Sequence, residues 1–200
     1  MRKSFALLSL LVAGILSQSG ALASASSEGY ETINQIVAET PLFNADNGWN
    51  NVADIISAAE KGSIVVDSIF SSVVSDKLDP KDSEYREKQM ARIAIVCASN
   101  GPMEIKSDGL PEVEESVKDF LSFALKMRSE HPAMWRGTAT IKHQKVGDAQ
   151  VLIVDKLDER TSDRILILFS DKTTTVPLIG MKQAVDVDAI RPEIVPVKSR

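Results

Sequence analysis

Residues 127–138 read MRSEHPAMWRGT, and the hydrophobic period of the chain changes across them. Upstream, Val117, Phe120, Leu121, Ala124 and Leu125 recur at three- and four-residue steps, which puts them on one face of a helix. Pro111 suits the first turn of that helix, Glu112, Glu114 and Glu115 suit its positive end, and Lys126 and Arg128 suit its last turns. Pro132 stops it. Downstream of Gly137 the period falls to two. Residues 138–141, 151–154, 165–169, 174–178 and 194–197 are short β-rich runs, separated by polar turn material at 146–148, 158–160 and 170–172. A helical part followed by closely spaced strands predicts an α+β fold, with a helical N-terminal segment packed on a C-terminal antiparallel sheet or small β-sandwich. The helical part is 26–132 and the β part 133–200. Within the junction, Arg128 is expected to complement its own helix end and His131 to cap or hydrogen-bond in the joint. Ala133, Met134 and Trp135 are expected to fill it, and Gly137 to admit the turn into the first strand.

Further from the junction the signals are shorter. Ile33, Ile36 and Val37 suggest a helix closed by Pro41. Asn47 or Asn50 can cap a second helix, with Val52, Ile55, Ile56 and Ala59 on its apolar face and Gly62 at its end. Residues 63–70 read as a strand or as more helix. Asp79-Pro80-Lys81-Asp82 is a turn and cap cluster that introduces a helix to about Ala98, broken by Asn100-Gly101-Pro102.

The N-terminus has the layout of a secretory signal peptide over 1–25. Arg2 and Lys3 precede an apolar core from Phe5 to Leu16, and Ala21, Ala23 and Ala25 offer A-x-A cleavage points. An exported protein, periplasmic or extracellular, is therefore expected. The apolar core is too short to span a bilayer, and no later run is long enough, so no membrane span is expected in the mature chain. Removing Arg2 and Lys3 takes the formal charge from −5 to about −7, and no Lys/Arg block follows, which argues against nucleic acid as a partner.

Little in the chain spells out chemistry. The only histidines are His131 and His143, and Cys97 is the single cysteine, so neither a metal site nor a disulfide within the chain is expected, and no cofactor. Cys97 lies in the run Ile93–Ala98 and reads as a small buried hydrophobe. No Gly-rich phosphate loop and no G-x-S-x-G elbow occurs. Two aromatics are candidate binding residues. Trp49, at a helix start, and Trp135, in the junction, can each stack on the apolar face of a sugar ring, or each can pack in a core.

The stretch VKDFLSFALKMRSEHPAMWRGT (117–138) resembles the end of the catalytic barrel in the alpha-amylase family of glycoside hydrolases. There the last barrel helix ends in a Leu-Arg-x-x-His-Pro-Ala-Leu motif before a Gly opens the C-terminal β domain. AQVLIVDKLDERTSDRILILFSDKTTTVPL (149–178) is similar to that domain's paired strands, and IRPEIVPVK (190–198) to its closing strand. KQMARIAIVCASNGPMEIKSDGL (88–110) resembles the preceding helix, turn and eighth barrel strand. The resemblance implies an amylase-like C-terminal domain over 133–200, with 88–132 like the end of a barrel. The family's three catalytic carboxylates have no counterpart. His131 is followed by Pro and His143 by Gln, so the Asn-His-Asp motif is missing, and so is the barrel that would hold two carboxylates across a glycosidic bond. No catalytic residue is carried over. The expectation is an exported, non-catalytic protein with a carbohydrate-related binding or a structural or interaction role, its partner an oligosaccharide or an envelope protein. The alternatives are an amylase-family hydrolase completed by a partner chain, and a periplasmic protein-interaction module with no link to sugars.

Overall fold

The computed structural model describes residues 40–60, 79–100, 114–178 and 183–197, all within one compact unit, Glu31–Arg200. The expected signal peptide and the readings at 29–39, 63–70 and 101–111 lie outside these residues. Helix α1 is Asn50–Glu60, α2 is Tyr85–Ala98, α3 is Glu115–Glu130 and α4 is the single turn Ala133–Arg136. The strands are β1 (Thr138–Val146), β2 (Ala149–Asp158), β3 (Asp163–Ser170), β4 (Thr174–Pro177), β5 (Ala184–Val187) and β6 (Glu193–Val197). The fold is α+β, as the change of period predicts.

Four strands form one antiparallel sheet in the order β1-β2-β3-β6, and β4 pairs with β5 in a separate ribbon. Both faces of the sheet are covered. Leu152, Val154, Ile165, Ile167, Phe169 and Ile194 face the helices and share one core with α1, α2, α3 and α4. The alternate residues Val151, Ile153, Leu166 and Leu168 pack with Val176, Leu178 and Val187 of the ribbon. Period-two alternation thus feeds two cores, which is why β2 and β3 read as continuous apolar runs and not as alternating ones.

The helices follow their apolar faces. Val52, Ile55, Ile56 and Ala59 of α1 are buried, together with Ala53. The backbone N–H of Glu84 donates to Asp82 Oδ1 at 2.9 Å, so the Asp79–Asp82 cluster is the expected turn ahead of α2, whereas the cap position itself falls on Glu84, whose side chain makes no capping bond. From Lys88 to Ala98 that helix is buried on every side, polar residues included. Cys97 is buried there, and burial pushes its thiol up to about 12, far from reactivity.

The C-terminus of α2 is gripped by two cations. Arg128 of α3 donates to Cys97 O at 2.6 Å and to Ser99 O at 2.9 Å. Lys156 of β2 donates to Ala98 O, to Met134 O at 3.1 Å and to Asn100 Oδ1 at 2.9 Å. Arg128 stands in the last turn of its own helix, as expected, and also reaches across to the orphan carbonyls at the end of α2, where the negative dipole end rewards the contact.

Candidate functional site

Charged and polar groups gather at the two ends of β2. At its C-terminal end they hold the junction. His131 Nδ1 lies 2.9 Å from Asp163 Oδ1, and Asp163 Oδ2 accepts the N–H of Ala133 at 2.9 Å. Arg136 donates to Asp158 Oδ2 through Nε (2.9 Å) and a terminal nitrogen (2.7 Å), and the Thr161 hydroxyl donates to the same oxygen at 2.5 Å. The Thr161 hydroxyl, with Arg136 and the Arg160 N–H, holds the Asp158 carboxyl below its ordinary range. His131 thus takes the joint hydrogen-bonding role. Gly137 is needed for space, with φ at an ordinary −72°: a Cβ there would sit 2.5 Å from Ala133 O and 3.1 Å from the carbonyl carbon of Leu157. Ala133 and Met134 are fully buried, whereas Trp135 is 37% exposed and carries the Arg136 guanidinium 5.0 Å from its ring centre. Trp135 therefore does not fill the joint as expected.

The N-terminal end of β2 is built differently. Val146 pairs with Ala149 across Gly147-Asp148, a two-residue hairpin turn with Gly147 at φ +58°. Such turns match the right-handed twist of the strands they join. A second tight turn lies beside it: Asn44 and Gly48 exchange backbone hydrogen bonds at 3.0 and 2.6 Å, with Gly48 at φ +62°. Trp49 fixes the two turns together. Its indole is 1% exposed, lies 5.3 Å from Phe43 and 5.7 Å from Phe169, and donates from Nε1 to Gln150 O at 2.7 Å. Between the turns and the strand edge opens a cleft of about 280 Å³, lined by Trp49, His143, Gln144, Lys145, Asp148, Gln150 and Val151.

The tryptophans singled out from sequence do not form one site. Trp49 touches Gln150 and the Trp135–Arg136 pair reaches Asp158, eight residues along the same strand or roughly 26 Å. Trp49 offers no ring face to a sugar, because it is 1% exposed and packs against Phe43 and Phe169, although it borders the cleft. Trp135 keeps an exposed ring, already shared with a cation. The groups at the cleft, His143, Lys145, Asp148 and Gln150, carry no motif in the sequence. The Lys156 grip does leave a signal in the sequence, since Leu152, Val154 and Lys156 alternate inward and a lysine in that register must meet acceptors.

Two smaller cavities lie elsewhere among the described residues. One of about 80 Å³, between sheet and ribbon, contains Asp155 held by Arg164 (2.7 and 2.6 Å) and by Lys142 (3.3 Å). Burial raises the Asp155 pKa, but the two cations outweigh it, and the carboxyl lies below its ordinary value. The other, about 10 Å³, brings Glu60 near Lys156 and Ala139. Each of these cavities has one carboxylate, so none of them sets two across a bond as glycoside hydrolysis requires. Among the described residues no three of His, Cys, Asp and Glu gather as a metal site, and no helix is long and apolar enough to cross a membrane. No family model, curated protein or solved structure matches the chain.

Proposed function

We propose that the chain is an exported, non-catalytic interaction protein that engages an envelope partner through the hairpin end of its sheet. The observation that carries this reading is the contrast in how polar groups are used. At the junction, acids and bases are spent on one another and on backbone, whereas His143, Lys145 and Asp148 stand exposed around a cleft beside an edge strand. Such an arrangement presents hydrogen-bonding groups to a second molecule without setting up acid/base chemistry. The export reading rests on the N-terminal signal-peptide pattern.

A photo-crosslinking residue placed at Lys145 and, separately, at Arg160 tests the reading in producing cells. A partner adduct is expected from position 145 and not from 160. Equal adducts, or none from 145, would overturn it. The polar lining of the cleft favours a second reading, an oligosaccharide site, which the amylase-like motifs also suggest. Calorimetric titration with maltoheptaose decides this: heat that is lost in Gln150→Ala would establish the sugar site, and silence at millimolar sugar would remove it.

A further inference from the structure

Strand β1 is a sheet edge, and its register shows which backbone groups face outward. The N–H of Ala139 donates to Glu60 Oε1 at 2.8 Å, away from β2. Backbone direction alternates along an antiparallel strand, so Ile141, His143 and Lys145 also point their N–H and C=O groups outward, while Thr140, Lys142 and Gln144 point theirs at β2. Among the described residues no hydrogen bond occupies the outward groups of Ile141, His143 or Lys145. The opposite edge is different: β6 has five residues and includes Pro196, a residue that blunts edges. Among the described residues one edge is blunted and the other is open over three residues, each offering one donor and one acceptor.

The open edge also has a charge. β1 (TATIKHQKV) contains Lys142, His143 and Lys145 and no acid, in a chain whose formal charge is −5. On one face Lys142 and Arg164 share the single carboxylate of Asp155, which leaves one positive charge over. On the other face Lys145 lines the cleft with His143. Apart from Asp155, already shared between Lys142 and Arg164, the acidic groups that the described residues place by the strand, Glu60 and Asp148, stand at its two ends. A basic middle with acidic ends suits an acidic partner strand and disfavours a second copy, which would lay two cationic strands side by side.

Resting on the interaction reading above, we infer that β1 accepts an extended acidic segment of a partner protein as a fifth strand, paired with Ile141, His143 and Lys145. An acidic side chain of that segment enters the cleft beside His143 and Lys145. Backbone pairing supplies the affinity and alternate side chains supply the choice of partner. Glu60, already bonded to Ala139, fixes where the added strand ends.

The test uses the full chain and a fluorescent, blocked peptide of about eight residues alternating Val and Glu, against its Val/Lys counterpart. Binding is followed by anisotropy. The acidic peptide is expected to bind at least about tenfold more tightly, and replacing both Lys142 and Lys145 by Gln is expected to erase most of that difference. His143→Pro removes an outward N–H and is expected to weaken binding about tenfold. A control on the peptide leaves the protein untouched: N-methylating one alternate set of amides abolishes binding and methylating the other set does not, since only one edge of the added strand faces β1. Equal binding of both peptides, no binding at millimolar concentration, or equal tolerance of both methylation sets would overturn the proposal. So would a dimer that His143→Pro dissociates in the absence of peptide, since a second copy would then own the edge. Peptide failure with the Lys145 adduct intact refutes acidic strand addition alone, whereas loss of both refutes the interaction reading too.

Discussion

The two ends of β2 carry similar residue types and use them in opposite ways. At the C-terminal end, Asp158, Asp163, Lys156, Arg136 and His131 find partners in the joint, and helix, turn and sheet are bolted there. At the N-terminal end, His143, Lys145 and Asp148 are exposed, and Trp49 and Asp171 tie the loops to the strand. Charge that is buried and paired specifies the fold. Charge left at an open edge is available to another molecule. Substitutions at the two ends should therefore separate stability from binding.

The largest effect is expected at Lys156. Lys156→Met leaves the carbonyls of Ala98 and Met134 without their donor in a buried site, and a loss of about 4 kcal/mol in urea unfolding is expected. The same residue gives a pH signature. Burial pushes its pKa from 10.5 down to about 8, so between those values the unfolded chain holds more protons. Stability should then climb as pH rises from about 8 towards 10.5 and be flat just below 8; a urea midpoint that falls over that interval would contradict the burial of the charge. Lys142→Pro comes next, because its N–H belongs to the β1–β2 ladder; a cost of about 3 kcal/mol is expected, read from thermal unfolding. Gly137→Ala drives a methyl into Ala133 O and should cost about 2 kcal/mol. The smallest change belongs to the open end. His143→Pro should cost under about 1 kcal/mol, since the N–H it removes faces away from the sheet. Similar costs for proline at 142 and at 143 would mean that the register of β1 is misassigned.

The sequence carried the fold better than the site, for a physical reason. The strands at 138, 151, 165, 174 and 194 announce themselves because β-branched runs between polar turns have few other ways to bury their side chains. Their lengths are underestimated where charged residues continue the ladder, as Lys142–Val146 and Asp155–Asp158 do. β5 was not predicted: Ala184–Val187 is four residues long with an Asp inside, and it is a strand because β4 lies beside it. Arg128 stands in the last turn of α3 as its position predicts, but its bonds to Cys97 O and Ser99 O are not legible, because a dipole rule applied along one sequence cannot see a neighbour's carbonyls. The cleft was invisible, since His143, Lys145 and Gln150 meet Trp49 only after two separate turns are brought together. Trp49 drew attention for its ring faces, yet its ring serves the core and its N–H sets the place of the cleft.

Glu60 has a consequence for how crowded this protein can safely become. A nine-residue edge with all its outward amides open is a template on which chains can stack end over end. The carboxylate occupies the first of those amides and places a negative charge at the rim, so a like strand approaching in full register meets a blocked donor. What is left open among the described residues is the three outward positions that the proposed fifth strand would use. If that proposal holds, one acidic residue at the end of a helix both bounds the docking site and guards it against self-pairing.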